Sequence, residues 1–128
     1  MTSPDKAVFI DNPAVAARSD TYLSVTVDVT KVLGSWRESL FSYEWLNGDR
    51  LKTRDELPPN EQPKRQVIED HLAKGEPLQK PILGIGILEN VEFGSGRATF
   101  LTLAALGAKK LPVHILKAHK DEFSSFVV

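Results

Sequence analysis

The alternation of apolar and polar residues is clearest over residues 22–29. Its apolar positions all fall on one face, namely Leu23, Val25, Val27 and Val29. A period of two is typical of a strand that buries one face. After Thr30, a residue type that caps helices, apolar residues recur at helical spacing. The pattern therefore predicts a strand over 22–29 and an aromatic-rich helix over 31–46 that ends before Asn47-Gly48.

Helical spacing returns over residues 61–74, where Val67, Ile68 and Leu72 form an apolar stripe. The segment before it, residues 47–60, is polar and contains two prolines. Loops of this length are often mobile or functional. We therefore expect a second helix over 61–74, and a weakly anchored loop over 47–60 that closes over a ligand.

Apolar segments in the last third of the chain predict the remaining sheet. Strands are expected over 82–88, 91–93 and 111–116, with a helix over 98–106 between the last two. A strand, a Gly-rich turn, a helix and another strand form a crossover unit. The pattern as a whole predicts an α/β (mixed α+β) fold, in which helices flank a mixed sheet.

Length and charge fit one globular domain. The 128 residues predict a single domain over 21–128 behind an N-terminal arm over 1–20. The absence of cysteine excludes disulfides, thiolate metal sites and cysteine nucleophiles.

With 16 basic against 17 acidic residues, the chain lacks the strong positive charge typical of nucleic-acid binders. Neither a signal peptide nor an apolar run of about 20 residues is present, so we expect a cytoplasmic protein without membrane contact.

The turn from Gly94 to Arg97 is the main candidate site. Glycine allows close approach of a ligand to the backbone, and the first N–H groups of a helix lack internal partners and attract anions. Arg97 adds a permanent cation with the geometry to bind phosphate. These features predict a phosphate site formed by Gly94, Ser95, Gly96, Arg97 and Ala98. A tight strand-to-helix turn with a solvated Arg97 is an equally good interpretation, since such turns recur without ligands.

Other candidates lie on both sides of this turn. Glu89 and Glu92 are candidate ligands of Mg²⁺, which prefers oxygen donors, and His114 is a candidate general base. Glu92 and His114 are thus the candidate catalytic residues. Lys109 and Lys110 belong to the C-terminal lysines and are candidate contacts for a nucleic-acid backbone. The alternatives are ordinary exposed acids, a packed histidine and solvated lysines.

The stretch from about Arg65 to Ile115 resembles the ParB/sulfiredoxin superfamily. Its first part is similar to the helix, Gly turn and Pro-Ile strand that precede the family's signature, and reads KRQVIEDHLAKGEPLQKPIL. The signature itself is similar to VEFGSGRATFLTLAALGAKKLPVHI, with its G-x-x-R turn, Ala-rich helix and Pro-Val strand. In that family the G-x-x-R turn binds nucleotide phosphates. The resemblance therefore implies this role for Gly94 and Arg97.

The chain departs from the family pattern in the turn and in length, and these differences reduce the number of family activities that the resemblance implies. Sulfiredoxin needs a cysteine in the turn, and this chain has Ser95 and Gly96 at the inner positions, which excludes that activity. ParB partition proteins have Glu-Arg there, and the glutamate helps to hold the metal of bound CTP. The chain is also too short for the other partition-protein domains. It therefore resembles the stand-alone members, which include nucleases, nucleotide hydrolases, free-serine kinases, toxin domains and plasmid fertility-inhibition proteins.

Two functions follow from the resemblance. The first is a nucleotide hydrolase or nuclease of a plasmid, phage or toxin system, which binds ATP or another nucleoside triphosphate, or a nucleic acid, with Mg²⁺. Such phosphoryl transfer depends mainly on positioning and on stabilising charge. The alternative is a non-catalytic inhibitor or interaction domain that uses the same fold to block a protein partner.

Overall fold

Eight strands and five α-helices lie in residues 3–48 and 50–128, the part of the chain that the computed structural model describes. In chain order they are β1 (Phe9–Ile10), α1 (Pro13–Ala16), β2 (Tyr22–Asp28), α2 (Val29–Trp36), β3 (Leu46–Asn47), β4 (Arg50–Leu51), α3 (Gln62–Lys74), β5 (Leu78–Gln79), β6 (Ile82–Ile85), β7 (Val91–Ser95), α4 (Arg97–Ala105), β8 (Lys110–Leu116) and α5 (Lys120–Phe123). None of these helices is both long and apolar enough to span a membrane.

A four-stranded mixed sheet in the order β2-β8-β6-β7 forms the centre of the fold. β2 pairs antiparallel with β8, β8 parallel with β6, and β6 antiparallel with β7. Two short pairs lie outside it, β1 with β5 and β3 with β4. The mixed sheet with helices confirms the predicted α/β (mixed α+β) class, and the three strands predicted near 22–29, 82–88 and 111–116 all take part in it.

Aromatic side chains pack α2 and α4 against the sheet. The ring of Phe93 in β7 lies 5.2 Å, centre to centre, from the ring of Trp36 in α2 and 5.2 Å from that of Phe100 in α4. Trp36 and Phe100 are both fully buried. Edge-to-face and tilted contacts of this kind add stability beyond the burial of apolar area. β7 is therefore held in place immediately before the turn of interest.

The helix predicted over 31–46 is shorter than expected, because α2 ends at Trp36. The hydroxyl of Ser42 donates to the carbonyls of Arg37 and Ser39, both at 2.9 Å, and a 3-10 turn over Ser42–Glu44 follows. Serine hydroxyls that bond to nearby backbone in this way compete with helical hydrogen bonds. As a result, Leu40 is 75 % exposed, although helical spacing would place it in the core.

The segment over 47–60, which was predicted to be a weakly anchored loop, forms several contacts in the structure. The guanidinium of Arg50 donates to both carboxylate oxygens of Glu56, at 3.0 and 2.9 Å. Glu56 also accepts from the backbone N–H of Thr53, and Leu57 is buried in the core. Asp49, which falls within the predicted loop, lies outside the described residues. Closure of this segment over a ligand stays a prediction.

The N-terminal arm packs along the sheet. β1 pairs parallel with β5, and the backbone N–H of Lys80 donates to the carbonyl of Ile10 at 3.0 Å. Asn12, which caps α1, is buried. The arm thereby brings Asn12 close to β7 and β8 and contributes to the surroundings of the candidate site. Residues 1 and 2 of the predicted arm lie outside the described residues.

Candidate functional site

The strand-to-helix turn depends on Gly96. This residue adopts a left-handed conformation, with φ of +75°, and a Cβ atom here would lie 2.9 Å from the Cα of Pro81. Both the backbone angle and the close approach therefore require glycine. Gly96 is the N-cap of α4 and, as a glycine, has no side chain that could cap the helix. The N–H groups of Arg97 and Ala98, at the start of the helix, have no acceptor within it.

Arg97 is held by two carboxylates. Its Nη2 donates to Oε1 of Glu61 at 2.5 Å, and its Nη1 lies 3.4 Å from Oε1 of Glu44. The Arg97 side chain remains 28 % exposed. The guanidinium is thus fixed in orientation by side chains from two other segments while part of it still faces solvent.

Glu61 is the buried centre of this charged cluster, and sequence analysis missed it. It is 1 % exposed, accepts from Nε1 of Trp45 at 3.0 Å, and its Oε2 lies 2.7 Å from Nζ of Lys64. Burial acts to raise the pKa of Glu61, but hydrogen bonds from Lys64 and Trp45 and the charge of Arg97 outweigh it and lower the pKa. Glu61 is therefore a carboxylate at neutral pH, and Arg97 and Lys64 balance the charges of Glu61 and Glu44.

Ser95 and His114 come together through Asn12. Ser95 in β7 and His114 in β8 both pair with Ile82 in β6, which lies between them. The side-chain Nδ2 of Asn12 donates to Oγ of Ser95 at 3.3 Å, and its backbone N–H donates to Nε2 of His114 at 3.1 Å. An Nε2 that accepts a hydrogen bond carries no proton. The lone pair that a general base would use is therefore already engaged in His114.

The structure does not bring Glu89 and Glu92 to the turn. Glu92 lies three residues before Ser95, about 10 Å along an extended strand. It accepts hydrogen bonds from Oγ of Ser39 at 2.8 Å and Nδ2 of Asn90 at 3.1 Å. Glu89 is exposed in the connection between β6 and β7. In residues 3–48 and 50–128, no three histidine or acidic side chains converge on a common metal position.

The C-terminal lysines fall into two separate groups. Lys109 and Lys110 lie at the start of β8, where Lys110 pairs with Asp28 of β2. Lys117 and Lys120 follow the other end of that seven-residue strand, roughly 20 Å away. The acidic neighbour Asp28 and this separation leave only a small basic surface around Lys109 and Lys110.

His114 should make the stability of the protein depend on pH. Burial, together with the charge of Lys80, lowers its pKa below the ordinary value, although Asp11 acts in the opposite direction. The folded state therefore favours neutral His114, and its contribution to stability is complete above about pH 6.5 and falls as the pH drops below it. Urea unfolding at about pH 7.5 and pH 5 should show this loss. His114→Gln should reduce the dependence of the free energy of unfolding on pH, whereas His71→Gln, at a partly exposed position, should leave it unchanged. An equal dependence on pH in both variants would contradict the role of His114.

Comparison with known proteins identifies no relative of this chain. No protein-family model matches the chain, and no curated protein sequence or solved structure is significantly similar to it. Membership of residues 65–115 in the ParB/sulfiredoxin superfamily stays a prediction, and a function has to be inferred from the residues around Arg97.

Proposed function

We propose that the start of α4 binds a phosphate-bearing ligand, such as a nucleotide. The observation that carries this proposal is that Arg97 begins a helix whose N-cap, Gly96, has no side chain, and that the Arg97 side chain is partly exposed. The helix dipole and the N–H groups of Arg97 and Ala98 favour an anion at this position. An arginine beside them supplies charge-assisted hydrogen bonds in the fork geometry that suits phosphate.

Glu61 and Glu44 have different effects on such a ligand. Glu61 is buried and at hydrogen-bond distance, so it orients Arg97 before any ligand arrives. Glu44 is farther away, at 3.4 Å, and its contact competes with an incoming anion. Arginine carries five N–H donors, and two carboxylate contacts leave several of them for a ligand. Because the two carboxylates offset the positive charge of Arg97, they weaken its attraction for an anion, and the N–H groups at the start of α4 have to supply much of the binding.

Hydrolysis of a nucleotide or nucleic acid would need a base that activates water as well. His114 can fill that role only when its Nε2 is released from the N–H of Asn12. We therefore propose ligand binding as the function, and hydrolase or nuclease activity as a further step that depends on movement of the N-terminal arm. Phosphate release from ATP, compared between the wild type and His114→Gln, tests that further step.

Three variants around Arg97 test phosphate binding. Arg97→Ala removes charge-assisted hydrogen bonds and should weaken binding of ATP and pyrophosphate about ten- to hundredfold. Arg97→Lys should recover only part of this loss, because an ammonium group lacks the fork. Glu44→Gln removes the competing charge and should tighten binding. Isothermal titration calorimetry measures all three dissociation constants.

Lys110→Ala is the matched control, since it removes an exposed cation far from the turn. It should leave the affinity for ATP unchanged, whereas a nucleic acid bound through Lys109 and Lys110 would lose affinity and salt dependence in this variant. A wild type that fails to bind either phosphate compound, or an Arg97→Ala variant that binds as the wild type does, would contradict the proposal.

A second candidate function is protein binding without catalysis. Three side chains within one short segment are largely exposed, at 75 % for Leu40, 58 % for Phe41 and 68 % for Tyr43. Clustered apolar side chains on a surface often mark a protein interface. The partner that can be tested directly is a second copy of the chain. Sedimentation equilibrium should then show self-association that Leu40→Ser/Phe41→Ser abolishes, and a wild type that stays monomeric would reject it.

A further inference from the structure

An open groove of about 590 Å³ lies between the β6–β7 connection and the C-terminal segment. The residues that line it come from both sides, namely Ile85, Glu89, His119, Glu122, Ser125 and Phe126. Volumes of about 300–1,000 Å³ are typical of ligand-binding clefts. The groove is separate from the proposed phosphate site, since neither Arg97 nor its two carboxylate partners line it.

The C-terminal wall of the groove is anchored to the core. The rings of His119 and Phe126 lie 6.5 and 5.9 Å, centre to centre, from the ring of Phe123, which is fully buried. The carbonyl of Phe126 also accepts from the backbone N–H of Asp28 in β2 at 2.8 Å. An aromatic face is therefore held in place beside the groove before any ligand binds, which lowers the cost of binding.

The opposite wall places Glu89 in a hydrogen-bonded turn. The backbone N–H of Glu89 donates to the carbonyl of Gly86 at 2.9 Å, and the N–H of Gly86 donates to the carbonyl of Asn90 at 2.8 Å. Glu89 adopts a left-handed conformation, with φ of 61°, which is uncommon for residues other than glycine. The turn therefore fixes the direction in which the Glu89 side chain leaves the backbone.

Two carboxylates in the groove have no cationic partner. Among residues 3–48 and 50–128, no lysine, arginine or histidine forms an ion pair with Glu89 or Glu122. Lys117 and Lys120 are close to His119 in the chain, but they are exposed and do not line the groove. The groove therefore offers negative charge to a ligand.

Exposed apolar residues continue both walls of the groove. In the β6–β7 connection, Ile87 is 98 % exposed and Leu88 is 60 % exposed. In the C-terminal segment, Val127 and Val128 are 39 % and 60 % exposed. Clustered apolar side chains on a surface often mark a protein interface. A ligand in the groove therefore meets apolar surface together with negative charge.

We propose that this groove binds an extended segment of a partner protein in which an arginine lies between apolar residues. A guanidinium pairs with carboxylates through parallel hydrogen bonds and also stacks on aromatic faces. The groove presents both kinds of contact, the carboxylates of Glu89 and Glu122 and the ring of Phe126. Lysine fits less well, because its ammonium group is strongly hydrated and has no planar face. The apolar neighbours of the arginine cover the exposed side chains of the two walls.

Titration of the full chain with the capped tripeptide Ac-Leu-Arg-Leu-NH₂, followed by ¹H–¹⁵N NMR, tests the groove. At millimolar peptide we expect saturable shifts of the amides of residues 85–89 and 119–126. Ac-Leu-Gln-Leu-NH₂ keeps the apolar residues without the charge and should bind about five- to tenfold more weakly. Ac-Leu-Lys-Leu-NH₂ should bind with intermediate affinity, because it keeps the charge without the planar group.

Two double variants test the carboxylates of the groove. Glu89→Gln/Glu122→Gln removes both charges with little change in shape and should weaken binding of the arginine peptide about five- to tenfold. Glu38→Gln/Glu76→Gln is the matched control, because it makes the same two changes at exposed positions that do not line the groove. It should leave the affinity for the arginine peptide unchanged.

Absence of saturable shifts in the groove of the wild type, or equal affinity for the arginine and glutamine peptides, would overturn the proposal. Equal losses in the two double variants would do so as well, since they would indicate unspecific attraction to negative charge. The comparison of the three peptides needs only the wild type, so it decides the question even if a variant fails to fold. Arg97→Ala should leave peptide binding unchanged, so failure of the phosphate site and failure of the groove are distinguishable.

Discussion

Replacement of Glu61 by alanine should lower the free energy of unfolding by about 3–5 kcal/mol. Glu61 is 1 % exposed and joins Arg97, Trp45 and Lys64 in one cluster. Its removal leaves the indole N–H of Trp45 buried without an acceptor and takes the hydrogen-bonded partner from Arg97. The loss is large because Trp45 is fully buried and the Arg97 side chain is only 28 % exposed, so water can replace Glu61 only in part.

Urea unfolding followed by tryptophan fluorescence measures this loss. Glu44→Ala is the matched control, because Glu44 contacts the same arginine from a longer distance, and it should cost about 1 kcal/mol or less. Glu61→Gln keeps an acceptor for Trp45, and its loss in free energy of unfolding should lie between those of Glu61→Ala and Glu44→Ala. If Glu61→Ala is no more destabilising than Glu44→Ala, then the cluster does not hold α3 against α4 as the contacts indicate.

Phe100→Ala should also cost about 3–5 kcal/mol, because it opens a cavity in the centre of the core. Phe100 is fully buried, and its ring lies 5.2 Å from that of Phe93, which in turn contacts Trp36. The surrounding rings belong to separate elements, β7 and α2, so they cannot collapse freely into the space. Thermal or urea unfolding of the purified variant measures the loss.

Phe41→Ala provides the control for this substitution. It removes the same side chain at a position that is 58 % exposed, and the free energy of unfolding should change by no more than about 0.5 kcal/mol. Comparable losses in the two variants would mean that Phe41 is covered in solution, either within the chain or by a second copy, and would contradict the difference in burial as the cause of the Phe100→Ala loss.

Elements with a regular local pattern were predictable from the sequence. The strand predicted over 22–29 is Tyr22–Asp28, the helix predicted over 61–74 is Gln62–Lys74, and the strand predicted over 111–116 is Lys110–Leu116. In each case the signals are local, since alternation, capping residues and a terminal glycine act within a few residues. The same signals placed the start of α4 at the Gly-rich turn.

Features that depend on side-chain hydrogen bonds were not predictable in this way. The early end of α2 results from Ser39 and Ser42, whose hydroxyls bond to nearby groups. The contacts within residues 50–57 include the pairing of Arg50 with Glu56. In α3, Val67 was expected in the core but is 52 % exposed, whereas Arg65 is buried. Apolar periodicity carries no information about polar contacts of this kind.

Only part of the candidate site followed from the sequence. Arg97 could be identified by its position in the turn, but its partner Glu61 is 36 residues away in the chain. Asn12 and His114, which share a hydrogen bond, are 102 residues apart. Contacts over such distances leave no local pattern, so the groups that engage Arg97 and His114 appear only when the fold is known.

Backbone amide shifts on addition of pyrophosphate test phosphate binding at the start of α4 most directly. In ¹H–¹⁵N NMR spectra of the wild type, we expect saturable shifts at Gly96, Arg97 and Ala98, because these N–H groups would face the anion. Arg97→Ala should weaken the response about tenfold or more. Unchanged amide signals of these residues at millimolar pyrophosphate, or shifts confined to Lys109 and Lys110, would contradict phosphate binding at the start of α4.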